Sequence, residues 1–164
     1  MIEQLLLPLE STEAGKYLAT VLMSMLPVIE LRGGVPFGVA LGLPVPGAFL
    51  AALMGNMLPV PIIVLFVRRV FLWIRKRIPK LGGWVDRLER KAWEKSDQVL
   101  KYQTWGLLIF VAIPLPGTGA WTGALIAALL DMRLKKAVPV IFLGVLIAGL
   151  IVTSLTYGVV SLLG

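Results

Sequence analysis

The sequence predicts an all-α integral membrane protein. Two re-entrant helical hairpins and two full transmembrane helices form an inverted-topology repeat, with a basic amphipathic surface linker between the halves. Three observations predict this. The first is composition: 58% of the 164 residues are hydrophobic, only 15% are charged and the mean hydropathy is +0.89. That suits a few membrane helices and no separate soluble domain. The second is one run of residues. Tyr102 to Leu130 holds 29 uncharged residues, cut by Pro114-Leu115-Pro116-Gly117-Thr118-Gly119. Proline removes a backbone donor and clashes with the preceding turn, so two prolines beside glycines stop a helix. Each arm is then roughly 20 Å long, short of the roughly 30 Å hydrocarbon core. Broken backbone at membrane depth is tolerated where protein or a water-filled cavity satisfies it. The third observation is where the positive charge sits.

Residues 1–16 mix Leu5-Leu6-Leu7 with acids and Pro8, and read as an interfacial segment. The opening lacks a basic n-region, so a cleaved signal peptide is not expected. Ser11 or Thr12 can cap the next helix, with Glu13 in its first turn. The first repeat, 17–67, is a hairpin plus a span. Its first arm runs from Tyr17 to Ile29. The tip is Glu30-Leu31-Arg32-Gly33-Gly34 with Pro36, and a second arm reaches about Leu43. Pro44-Val45-Pro46-Gly47 makes a turn. Ala48 to Val67 is long enough to cross, kinked at Pro59 and Pro61.

The linker, 68–101, holds 11 of the 16 Lys and Arg residues and 4 of the 9 acids. Pro79 and Gly82-Gly83 divide it. Trp84, Leu88 and Ala92 recur at helical spacing among charges, which predicts an amphipathic helix on the membrane surface. The second repeat, 102–163, is the broken hairpin followed by a basic turn, with Asp131 pairing near Arg133, and a last span from Ala137 to Leu163. Gly34 and Gly38 match Gly119 and Gly123 at a shift of 85 residues. The repeated order of elements is the stronger sign of duplication.

Positive charge stays in the cytoplasm. That puts 68–101 inside. If 102–130 crossed fully, Arg133, Lys135 and Lys136 would lie outside. If both hairpins re-enter, from opposite faces, every charge block falls on its preferred side. Both termini are then outside the cytoplasmic membrane of a prokaryote. The whole chain, 1–164, is one membrane domain.

Composition also excludes chemistry. The chain has no Cys and no His, which removes thiol chemistry, the commonest general base and the commonest transition-metal ligand. No metal site, cofactor or enzymatic activity is expected. The net charge of +7 sits mostly in the membrane-flanking linker, so it argues for topology and anionic lipid and against nucleic acid.

Glu30 and Arg32 are the charged residues between Lys16 and Arg68. An ionisable group at membrane depth is a functional candidate by default. Arg32 suits a bidentate grip on a phosphate. Glu30 suits a proton carrier if burial raises its proton affinity. The competing reading is a salt bridge that holds the hairpin tip. Gly33, Gly34 and Pro36 complete this site. The facing tip offers backbone groups at Pro114, Pro116, Gly117, Thr118 and Gly119, and hydroxyls at Thr118 and Thr122. The arm beyond Thr118 points its positive dipole end inward. The competing reading there is a compact turn. Asn56, the one amide inside the first span, either lines the cavity or bonds another helix. The GxxxG pairs Gly34/Gly38 and Gly119/Gly123 suit helix packing.

Ile29-Glu30-Leu31-Arg32-Gly33-Gly34-Val35-Pro36 and Pro114-Leu115-Pro116-Gly117-Thr118-Gly119-Ala120-Trp121-Thr122-Gly123 resemble the signatures of the small multi-drug export protein family. The resemblance covers nearly the whole chain. That family is distantly similar to the DedA and VTT membrane proteins, which share two re-entrant hairpins. DedA-type relatives are implicated in proton-coupled movement of lipid phosphates such as undecaprenyl phosphate, and eukaryotic relatives in lipid scrambling. Glu30 matches an acidic residue of the DedA first hairpin. The arginines of the DedA second hairpin have no counterpart between Lys101 and Arg133, where Ala112 and Gly117 stand near Pro114, which leaves Arg32 to supply that charge. The resemblance implies a transporter or flippase of DedA-like type for an anionic lipid phosphate or small amphiphile. A passive phospholipid scramblase or a small-molecule exporter is the alternative. Membrane lipids are the expected partners. A homodimer is also expected, because four hydrophobic elements make a thin wall around a cavity.

Overall fold

The computed structural model describes residues 12–102, 104–115 and 117–158. Among them the protein is all helical, without strands. The interfacial segment expected over 1–16 lies mostly outside the described residues. The chain divides into two compact units. One comprises Met1–Pro59 with Val145–Gly164, and the other Val60–Gly144. Both divisions fall inside long helical stretches.

The first unit opens with α1, Glu13–Ser24. Thr12 caps it as expected, its hydroxyl accepting from Gly15 N–H at 3.1 Å. The helix ends at Ser24, so the first arm is shorter than Tyr17–Ile29. Pro27 has no N–H for the next helical bond, and the chain turns over 25–29. α2 is Glu30–Ala40. The expected break at Gly33, Gly34 and Pro36 is corrected here: the helix runs through all three. α2 ends in a Schellman cap at Gly42, whose φ is 87°. Leu43 N–H bonds the Gly38 carbonyl at 3.0 Å and Gly42 N–H the Val39 carbonyl at 2.9 Å, as that cap requires. α3, Val45–Met57, starts earlier than expected, with Pro46 and Gly47 already inside its first turn. α1, α2 and α3 pack against one another.

α4, Pro59–Arg77, follows α3 almost directly, and Val45–Arg77 makes one helical stretch of 33 residues. Pro59 and Pro61 lack amide protons, which explains the interruption at Leu58. The expected linker starts inside this helix. α5 is Pro79–Tyr102. Pro79 sits at its first position, where no amide donor is needed, so it opens the helix. Gly82 and Gly83 lie within α5 and do not divide it. Val85 and Ala92 are buried, while Trp84 is 54% exposed. The inward stripe is therefore offset from the expected Trp84–Leu88–Ala92 face.

α6, Thr104–Ala112, and α7, Ala120–Leu129, flank a break at 113–119. That is the expected pair of short arms, roughly 14 and 15 Å long. α7 is buried almost all round and packs against α5 and α6. It too ends in a Schellman cap, with Asp131 at φ 56°. α8 is Leu134–Thr153, and a π-helical turn continues it over Ser154–Gly158.

Two stretches are long and apolar enough to cross a membrane, Val45–Arg77 and Leu134–Thr153, and only 39% and 33% of their apolar windows is buried. The core helix of a soluble protein would be mostly covered. Leu50, Met54, Ile62, Leu65, Leu143 and Leu150 all face outward. Such outward apolar faces on two long helical stretches suit a lipid surrounding.

Candidate functional site

The first unit is assembled by small residues one helical turn apart. Thr20 and Ser24 on α1, Gly38 and Gly34 on α2, and Ala48 and Ala52 on α3 form three matched pairs. A Cβ on Gly38 would fall 2.9 Å from Ala48 Cβ and 2.9 Å from Thr20 Oγ1. A Cβ on Gly34 would overlap Ser24 Oγ and approach Ala52 Cβ at 3.1 Å. Small side chains allow such close backbone approach in a lipid environment. Gly34 is thus enclosed by its neighbours. Thr20 and Ser24 are fully buried and return their hydroxyl protons to their own helix, to the Lys16 carbonyl at 2.8 Å and the Thr20 carbonyl at 2.7 Å. Neither residue stood out in the sequence, although their four-residue spacing opposite the Gly34/Gly38 pair is a readable signal.

This packing positions Glu30. It is the first residue of α2, 7% exposed, and has φ 50°. A left-handed backbone is uncommon for a residue with a side chain and costs of order 1–2 kcal/mol. Such positions persist where the surroundings fix them, and they concentrate at functional sites. Glu30 N–H bonds the Leu26 carbonyl at 3.0 Å, which closes the turn. Arg32 is half-buried, and its charge acts on Glu30. Gly33 sits against Ile29 of the preceding turn. Pro36 is exposed on the outside of α2.

Asn56, on α3, is 2% exposed, and its Oδ1 has no hydrogen-bond partner among the described residues. Of its two expected roles, lining a cavity or bonding another helix, the second is not made through that oxygen. Thr153 Oγ1 is likewise buried without a partner. Gly149, one turn earlier on α8, lies against Leu31 and Phe49. Thr20, Ser24, Glu30 and Asn56 are the buried polar or charged residues described, and all belong to the first unit.

The second hairpin places its polarity differently. Its tip is backbone, tied by one side chain. Thr118 Oγ1 lies 2.7 Å from both the Ile113 and Leu115 carbonyls, either of which can take its proton, and it accepts from Leu115 N–H at 3.3 Å. Gly117 and Gly119 have φ 77° and 136°, open to glycine and strained for other residues. Thr118 therefore holds the loop closed, which favours the compact-turn reading of its hydroxyl. Thr122 is half-buried on α7. Pro116 lies outside the described residues. Gly123 packs where Gly38 does in its own hairpin. A Cβ there would meet Val111 and Leu107 of the preceding arm and Ile141 of the following helix.

Two ion-pair clusters were not visible in the sequence. Arg75 bridges Asp86 Oδ1 at 2.7 Å and Glu89 Oε2 at 2.6 Å, joining α4 to α5. Asp131 pairs with Arg68 at 2.6 Å, which corrects the expected partnership with Arg133. Arg68, Leu72, Arg75, Glu89, Trp93 and Leu129 line a crevice of about 250 Å³. Among the described residues no group of acids forms a metal site.

No curated protein and no solved structure matches the chain. A family model does, over residues 30–151, from Glu30 at the buried turn to Ile151 near the end of α8. On that match the chain belongs to the family described as "Putative small multi-drug export protein".

Proposed function

We propose that this protein is a proton-coupled membrane transporter of DedA-like type. It moves an anionic amphiphile, a lipid phosphate or a smaller molecule with the same chemistry, across a prokaryotic cytoplasmic membrane. The observation that carries the reading is Glu30, the buried charged residue at a strained turn, with Arg32 two positions on. Burying ionisable groups at membrane depth costs several kcal/mol, and they mark substrate or proton pathways. In this reading Glu30 takes up and releases the proton, and Arg32 holds the anion.

The matched roles of Gly38 and Gly123 support an inverted repeat in which both short-helix pairs re-enter, with the linker in the cytoplasm and both termini outside. Alternating access is then rocking of one repeat against the other. The family description favours a second cargo, a small drug-like molecule, moved by the same machinery.

Proteoliposomes test both. A fluorescent polyprenyl phosphate analogue and an amphiphilic dye are offered across an imposed pH gradient. Gradient-driven flux of either, lost in Glu30→Gln and Arg32→Ala while both variants keep the wild-type melting transition, supports the proposal and identifies the cargo class. Lipid movement indifferent to an ionophore points to a passive scramblase. Loss of folding in both variants reduces Glu30 and Arg32 to a structural pair.

A further inference from the structure

The buried Oδ1 of Asn56, without a partner among the described residues, calls for an explanation, because an unmade hydrogen bond in the interior is destabilising. The register of α2 and α3 supplies a candidate donor. Gly38 meets Ala48, and Gly34 meets Ala52. The two helices therefore run antiparallel, each contact one turn from the last. One further turn along both, on the same faces, brings Glu30 level with Asn56. Both residues are buried.

An ionised carboxylate only accepts hydrogen bonds and can give nothing to an amide oxygen, whereas a carboxylic acid has one O–H to donate. We infer that Asn56 is the positioning residue that receives the protonated form of Glu30: the carboxyl turns toward Arg32 when ionised and donates to Asn56 Oδ1 when it carries a proton. The inference rests on the reading of Glu30 as the proton carrier and says what accepts the loaded state. The proton comes from the aqueous phase and returns to it, and no other bond changes.

The charged surroundings are simple. Arg32 acts on Glu30 from its own helix. On α1 the titratable groups are Glu13, Lys16 and Tyr17. Lys16 lies near Gly42, at the opposite end of α2, and Glu13 is exposed at the start of α1. α3 and the part of α8 in this unit carry none. Arg32 favours the carboxylate and Asn56 favours the acid, so the two compete for one side chain. An anion that occupies Arg32 weakens its hold on Glu30 and promotes proton uptake. By linkage, protonation of Glu30 strengthens anion binding by the same factor.

The test needs no transport assay. The full chain, in nanodiscs, is labelled with ¹³C at the side-chain carbonyls of Asn and Glu and titrated by solid-state NMR. Glu30→Gln and Asn56→Leu assign the two signals. The expected result is that the Asn56 carbonyl moves with the same midpoint as the Glu30 carboxyl. In Asn56→Leu the Glu30 midpoint falls by about one pH unit, since the acid form has lost its acceptor. A titrating Glu30 with a flat Asn56 signal overturns this inference and leaves the proton-carrier reading standing. A Glu30 that stays ionised throughout overturns both. The wild-type titration decides the matter even where Asn56→Leu does not fold.

Discussion

The two short-helix pairs are packed alike and polarised differently. In each, a glycine of the second arm lets it press against the first arm and the following helix, Gly38 in one and Gly123 in the other. In the first pair and the helix beside it, polarity is carried by buried side chains: Thr20, Ser24, Glu30 and Asn56. In the second, no charged residue is buried among those described, and the polar contacts gather at the loop that Thr118 closes. The difference teaches that one packing device can serve two chemistries. Side chains that titrate can carry a proton, and fixed backbone dipoles can only orient a ligand.

The sharpest way to break the comparison is to attack the packing. Gly55→Ala should be the most damaging small change, because its Cβ would strike the backbone of Val21, which cannot rotate away. A loss of about 3 kcal/mol or more is expected in thermal unfolding from mild detergent. Gly123→Ala, whose Cβ meets the Val111 side chain, should cost about 1–2 kcal/mol. Equal losses would mean that the first pair is packed no more tightly than the second. Next, Thr118→Val removes the loop tie and should cost about 1 kcal/mol. It should also speed amide exchange over 113–119 while sparing α6 and α7. Ser24→Ala, which removes only a bond back to its own helix, should stay within about 0.5 kcal/mol. The reverse order would show that the first pair's hydroxyls are structural. The linker provides the baseline. Gly82→Ala and Gly83→Ala meet nothing within 4 Å and should each stabilise α5 by about 0.5–1 kcal/mol. Arg75→Gln should lower the melting temperature slightly, and strong salt should erase the difference.

Much of the architecture was legible because it rests on local rules. The Thr12 cap, the break at 113–119 and the two long apolar stretches follow from capping, missing donors and length. The misreadings share one cause. Gly33, Gly34 and Pro36 look like breakers, yet α2 runs through them because α1 and α3 close around Gly34 and Gly38 and an apolar setting strongly favours internal hydrogen bonds. Pro79 reads as a stop until its place at the first turn is known. In the site, Glu30 was visible as a lone acid in an apolar run and Asn56 as a lone amide. Their shared level was not, since helix register depends on contacts between segments. The Arg68–Asp131 and Arg75–Asp86–Glu89 pairs were hidden for the same reason.

The 33-residue stretch Val45–Arg77 has one more consequence. It counts 33 residues, against 20 for Leu134–Thr153, and about 20 apolar residues suffice to cross the hydrocarbon. The first can tilt or slide to suit bilayers of different thickness. The second has less length to spare, with Lys135 and Lys136 at its start and a π-helical turn at its end. A thickened bilayer therefore strains one span and leaves the other relaxed. Lipid chain length becomes an input that acts on this protein through hydrophobic mismatch alone, with no binding site required.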